Sequence, residues 1–256
     1  MNRLGEGVSA PTPAAVGRSL APGLGVVRAW GVDSYLLREG SSTYLIDSGL
    51  IERAPAIVKA IRAAGMRVED LTHILLTHQH SDHAGGAAFL QWRSDATVAC
   101  HEMDADAVEG KAPRLGPWFA RTLFRTHPVA VDRRLKDGDA IGPFTVVHLP
   151  GHTPGSVAFY HASRKILFAG DAVVTSRGRA TLSSPWATYD RDEAIRSLEK
   201  LTKLSIDVLV PGHGEPLTQG VGSALRAAWE RFSRLPTPKH WTLAGPEGLP
   251  ETHPKG

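Results

Sequence analysis

The stretch "THILLTHQHSDHAGG" (72 to 86) places His78, His80, Asp82 and His83 within six positions, directly after an apolar run. That crowding constrains the chain more than any other feature. "THILLT" reads as a short buried strand, and the turn that leaves it can aim several side chains from one tight loop toward a common point. Imidazole nitrogen and carboxylate oxygen are donors that a divalent ion accepts readily where thiolates are absent. The chain has a single cysteine, Cys100, which excludes an internal disulfide and a thiolate cage. In "TVACHE" it reads as a small buried hydrophobe at the end of a strand.

Three further positions share the same character. His152 in "PGHTPGS", Asp171 in "FAGDAV" and His213 in "VPGHGEP" each follow a β-prone run directly. Glycines beside His152 and His213 let the backbone come close to a site, whereas Asp171 by itself could equally cap a turn. Two adjacent ions could be served, because His78 and His80 can face one centre while Asp82 and His83 face another. His127 and His161 read as solvated side chains. His73 and His148 fall within β-prone runs and read as partly buried and hydrogen-bonded; His101, His240 and His253 have no evident partner.

The rest of the chain supplies the scaffold. A length of 256 residues with 42% hydrophobic side chains suffices for one large core or two fused halves. "SYLL" and "TYLI" around "REGSS" predict a hairpin, and Ile57, Val58 and Ile61 in "IERAPAIVKAIRAAG" have helical spacing that ends on Gly65. After the histidine cluster "AGGAAFLQW" begins a helix, "ATVAC" a strand and "HEMDADAVEG" a helix. "FTVVHL", "SVAFYH", "KILFAG" and "IDVLV" predict strands in the second half, and "RDEAIRSLEKLTKL" and "SALRAAWERFSRL" amphipathic helices. Strands followed by helices, twice over, suggest two sheets packed face to face with helices outside. Residues 1–24, rich in Gly, Pro, Ala and Ser, read as a flexible arm; 25–235 as the folded domain; 236–256 as a loop-like tail. The formal charge of +3 comes from 29 basic and 26 acidic residues without long runs, so no basic face for nucleic acid is expected. No stretch approaches the roughly 20 apolar residues of a membrane helix or carries a signal peptide's apolar core, and a cytoplasmic location is expected.

With these segments in view, the chain resembles the metallo-β-lactamase superfamily. "THQHSDH" matches its H-x-H-x-D-H signature, and "GHTPGS", "AGD" and "PGHG" resemble its remaining metal motifs in their usual order. The resemblance implies an α/β, four-layer αββα sandwich with the site at one edge of the paired sheets. It implies that His78, His80 and His152 hold a first ion, that Asp82, His83 and His213 hold a second, and that Asp171 bridges both. Two divalent ions are expected, zinc by preference, with iron or manganese as alternatives. Asp47, in "YLIDSG", matches an aspartate that orients a ligand or loop in that superfamily.

The implied reaction is hydrolysis of a small ester, thioester or lactone by a hydroxide held between the ions and hydrogen-bonded to Asp82, the catalytic residue of this reading. The chain is similar to glyoxalase II in all seven ligand positions, and to quorum-sensing lactonases except that their tyrosine after the bridging aspartate is here Val174, with Tyr189 the nearest substitute. Zinc β-lactamases typically lack an aspartate at position 171, and the added RNA-binding segments of nuclease branches have no counterpart. The principal alternative is a persulfide dioxygenase of the same fold, which binds one iron through two histidines and the aspartate; β-lactamase-like or phosphodiester hydrolysis are others. The segments 111–128 and 176–190, with Trp118 and Trp186, are expected to wall the pocket, a packing role being the plainer reading of each tryptophan.

Overall fold

Alternation along the strands divides the apolar residues of this chain among three separate cores. The computed structural model describes residues 16–29, 31–116 and 126–235. One sheet runs, in spatial order, β1 (Val16–Ala21), β2 (Leu24–Ala29), β3 (Val32–Glu39), β4 (Ser42–Ile46), β5 (His73–Leu75), β6 (Thr97–His101) and β7 (Arg133–Leu135). The first four pair antiparallel; β4 to β7 pair parallel. Crossovers between these parallel strands carry α1 (Ala54–Ala63), α2 (Ser81–Ala84), α3 (Ala87–Ser94) and α4 (Glu102–Val108).

The second sheet contains β8 (Ala140–Ile141), β9 (Phe144–His148), β10 (Val157–His161) and β11 (Ile166–Gly170), followed by a separate hairpin of β12 (Val174–Ser176) and β13 (Arg179–Thr181). After α5 (Arg191–Leu201), β14 (Val208–Pro211) adds to the sheet parallel to β11, and α6 (Val221–Ser233) follows.

The side-chain period of two explains the layers. In β5 and just after it, Ile74 and Leu76 pack under the first helices with Ile57, Val58 and Ile61 of α1. Leu75 points the other way, into a core between the sheets that it shares with Leu37, Ile46, Phe144, Phe159 and Phe168. In β11, Phe168 enters that middle core while Leu167 and Ala169 pack against Leu198 of α5 and Leu225 of α6. A core on each outer face and one in the middle make an αββα sandwich, as expected from the sequence.

One boundary differs. Within the segment 1–24, expected to be a flexible arm, residues 16–21 form β1, which adds an antiparallel edge to the first sheet with Val16 opposite Val27; residues 1–15 lie outside the described residues. Pro22 and Gly23, the latter at φ +73°, close the β1–β2 hairpin. Gly23 there carries Arg38, whose N–H donates to its carbonyl at 3.0 Å.

The topology sends every strand that leads into a candidate site residue to one edge. β9 and β11 both lie antiparallel to β10 and so run in the same direction, and β14 runs with β11. Their ends deliver His152, Asp171 and His213; the end of β5 delivers the cluster of 78 to 83 from the other sheet. Backbone bonds close the edge, Val157 N–H to Thr77 O and Asp33 N–H to Gly212 O, both at 2.9 Å.

Candidate metal centre

At this edge the structure brings together all seven side chains singled out in the sequence. His78 Nε2, His80 Nδ1 and His152 Nε2 lie 3.1, 3.2 and 2.9 Å apart. Zinc–nitrogen bonds of about 2.0–2.1 Å span a tetrahedral edge of roughly 3.3 Å, so a single ion fits among these atoms. His213 Nε2 lies 3.3 Å from Asp82 Oδ2, which is 3.9 Å from His83 Nε2, and these three form a second group. Asp171 stands between the groups, with Oδ2 3.6 Å from His152 Nε2 and 3.3 Å from His213 Nε2, and Oδ1 3.5 Å from His83 Nε2.

The surroundings fix which nitrogen of each ring faces inward. His83 Nδ1 contacts Asp47 Oδ2 at 2.8 Å, His213 Nδ1 contacts the Gly31 carbonyl at 2.8 Å, and His78 Nδ1 lies 3.0 Å from Thr77 Oγ1. With Nδ1 engaged in these bonds, Nε2 is the nitrogen each ring turns toward the site, and it is a bare acceptor whenever the ring is neutral. Asp47, expected to orient a ligand, does so for His83 and also accepts from Thr77 N–H at 2.8 Å.

Electrostatics separates the groups. Burial holds His78 and His152 well below the ordinary imidazole range and takes His80 down to about 4, so the first group is three neutral rings with converging lone pairs. Burial opposes a charge on His83 as well, but Asp171, Asp47 and Asp82 outweigh it and lift His83 to about 10. Asp82 stays ionised: burial works against it, and His83 and His213 hold it well below the usual carboxylate range. Buried His83 Nε2 and Asp171 Oδ1 have no hydrogen-bond partner. Converging lone pairs and unpartnered buried polar atoms cost free energy unless a cation satisfies them. The donor set therefore fits divalent ions.

A cavity of about 640 Å³ opens over the site. The two segments expected to wall it both do: Arg114, Leu115 and Gly116 line one side, Ser184, Trp186 and Ala187 another. Trp118 lies outside the described residues. Val174 lines the cavity, while Tyr189 meets the site through its backbone, N–H to His152 O at 3.1 Å.

The sequence reading missed three partners. His101 stacks on His148 with ring centroids 3.9 Å apart, and His148 Nε2 lies 2.9 Å from Pro154 O in the His152 loop. Gln79, inside the signature, and Asp104 of α4 are buried and bonded to each other. A signal for Asp104 existed: Ala107 and Val108, three and four positions on, put it on the buried face of its helix.

A family model described as the metallo-beta-lactamase superfamily matches residues 27–213. The chain belongs to the metallo-beta-lactamase superfamily. Among members of that superfamily and its relatives, a hydroxyacylglutathione hydrolase of Bdellovibrio bacteriovorus is 34% identical over 145 residues, 55% of this chain and 48% of the relative. An acyl-coenzyme A thioesterase of Homo sapiens is 30% identical over 207 residues, 71% of this chain and 67% of the relative. The crystal structure of a metallo-beta-lactamase family protein from Thermus thermophilus superposes with a TM-score of 0.66 at 28% identity, covering 83% of this chain and 79% of that one. The chain is accordingly a metal-dependent hydrolase of this superfamily. Among the described residues no helix is long and apolar enough to cross a membrane.

Proposed function

We propose that the chain is a dinuclear metal-dependent hydrolase of a small ester, thioester or lactone, with zinc as the preferred ion. The observation that carries this reading is the completeness of the second donor group: Asp82, His83 and His213 converge beside Asp171, apart from the three-histidine group. His78, His80 and His152 would hold one ion, Asp82, His83 and His213 the other, with Asp171 between them. Such a pair supplies Lewis acidity toward a carbonyl oxygen and brings the pKa of water to about 7.

The protein's own groups do the rest. Asp82 is ionised and half-buried at the cavity, placed to accept a hydrogen bond from the attacking water and orient it. Asp47 and Gly31 fix the rings of His83 and His213, so neither rotates as charge develops. Leu115, Val174 and Trp186 give the cavity an apolar wall for the acyl portion. The two relatives add chemistry to the proposal, since one is named a thioesterase and the other a hydrolase of hydroxyacylglutathione, itself a thioester. Thioesters are the first substrates to try.

The test pairs elemental analysis with turnover. Protein purified without chelator is expected to hold close to two ions per chain and, loaded with zinc, to hydrolyse an activated thioester, ester or lactone without oxygen. One ion at metal saturation, or rapid O₂ uptake with glutathione persulfide by iron-loaded protein alongside absent hydrolysis, overturns the reading in favour of an iron dioxygenase.

A further inference from the structure

Asp104 belongs to none of the ligand motifs, yet its side chain has no solvent exposure and its carboxylate accepts four hydrogen bonds from two loops. Oδ2 takes Gln79 N–H at 2.9 Å and Thr153 Oγ1–H at 2.7 Å; Oδ1 takes Gln79 Nε2–H at 2.9 Å and Gly155 N–H at 2.9 Å. Gln79 sits between His78 and His80, and Thr153 follows His152. One carboxylate thus grips both histidine-bearing loops a single residue away from the ring nitrogens that must meet.

The geometry points to Asp104, with Gln79 as its partner, as positioning residues that set the spacing of His152 against His78 and His80. This rests on the metal centre proposed above. The two loops come from different sheets, and the nitrogens they carry approach to 3.2 and 2.9 Å across that divide. A bridge anchored in neither loop but in α4 keeps them in register when the buried lone pairs would otherwise push them apart. The sequence makes room for it: a Cβ on Gly155 would lie 2.6 Å from the Asp104 carboxylate carbon, so only glycine lets that loop approach. Gln79 extends the bridge to the cavity wall. Its Oε1 accepts Leu115 N–H at 2.7 Å and its carbonyl accepts the Arg114 guanidinium. The wall and the three-histidine group therefore hang on the same two side chains.

The full-length chain, loaded with zinc and titrated with a competing chelator, tests the assignment through metal affinity rather than turnover. His213→Ala identifies which release step belongs to the second group. Asp104→Asn replaces one acceptor oxygen with an NH2 donor that faces other donors, and is expected to weaken the three-histidine step by about 10–100-fold while leaving the other nearly unchanged. Thr153→Val removes one bond of the four and should weaken the same step less. Adding Gln79→Glu to Asp104→Asn exchanges donor and acceptor across the pair and should restore part of the loss. A structural role alone would not move one step selectively. Two ions bound by the wild type, with both steps unchanged in Asp104→Asn and Thr153→Val or weakened equally along with thermal stability, would overturn the inference; if Asp104→Asn does not fold, Thr153→Val decides. A wild-type chain that takes up no ion sinks the metal-centre reading itself.

Discussion

Asp47 Oδ2 lies 2.8 Å from His83 Nδ1, and Asp47 reaches that position with a backbone φ of +58°. Asparagine tolerates the same left-handed conformation, so Asp47→Asn keeps the turn and an acceptor while removing the charge that makes His83 a strong donor. The second ion should then be held about 10–100-fold less tightly. Chelator competition reads this directly, and equal affinities would show that His83 needs no such support.

Metal uptake should release protons in one step only. In the metal-free chain His83 is charged at neutral pH, because its pKa stands raised at about 10, whereas His78 and His152 are lowered and His80 sits near 4. An ion entering beside Asp82, His83 and His213 must displace that proton, so its affinity rises with pH up to about 10. Binding to the three neutral rings should be flat from pH 6 upward, on an order-of-magnitude scale. Calorimetry in buffers of different ionisation enthalpy measures the proton count of each step.

Gly212 offers a steric test that adds no charge. A Cβ there would meet Asp171 Oδ1 and His83 Cε1, each at 2.5 Å. Gly212→Ala should drive the two side chains apart and lower the bound metal from about two ions toward one, with circular dichroism unchanged. Asp171→Ala should likewise weaken the second site and remove most turnover while the fold survives. Full metal content in both variants would remove Asp171 from the bridging role.

Trp186 lines the cavity but is 60% exposed, so it contributes little to the core. Trp186→Ala is expected to change stability by no more than about 0.5 kcal/mol while raising KM several-fold and leaving metal content alone. Kinetics on the best substrate identical to wild type would place substrate recognition elsewhere.

Much of this molecule can be read from its sequence because the decisive signals are local. Short apolar runs such as "HILL" and "ILFA" mark buried strands, and the candidate side chains at their ends need only the preceding run to be singled out. Asp104 escapes such a reading because its four donors are 25 to 51 residues distant in the chain, and no local pattern marks a carboxylate that bridges two sheets. The His101–His148 stack depends in the same way on how β6 faces β9. β1 escapes for a different reason: composition averaged over a whole segment hides the one Pro-Gly pair that marks the turn beside it.

Each sheet is drawn from its own stretch of chain, the first complete by Leu135 and the second only at Pro211. Synthesis from the N-terminus therefore exposes His78, His80, Asp82 and His83 well before His152, Asp171 or His213 exists. A chain that ends short of His152 holds only two members of each donor group. The three-histidine group is complete once His152 has been made, whereas the second group waits for His213 at the end of β14, behind which α6 packs.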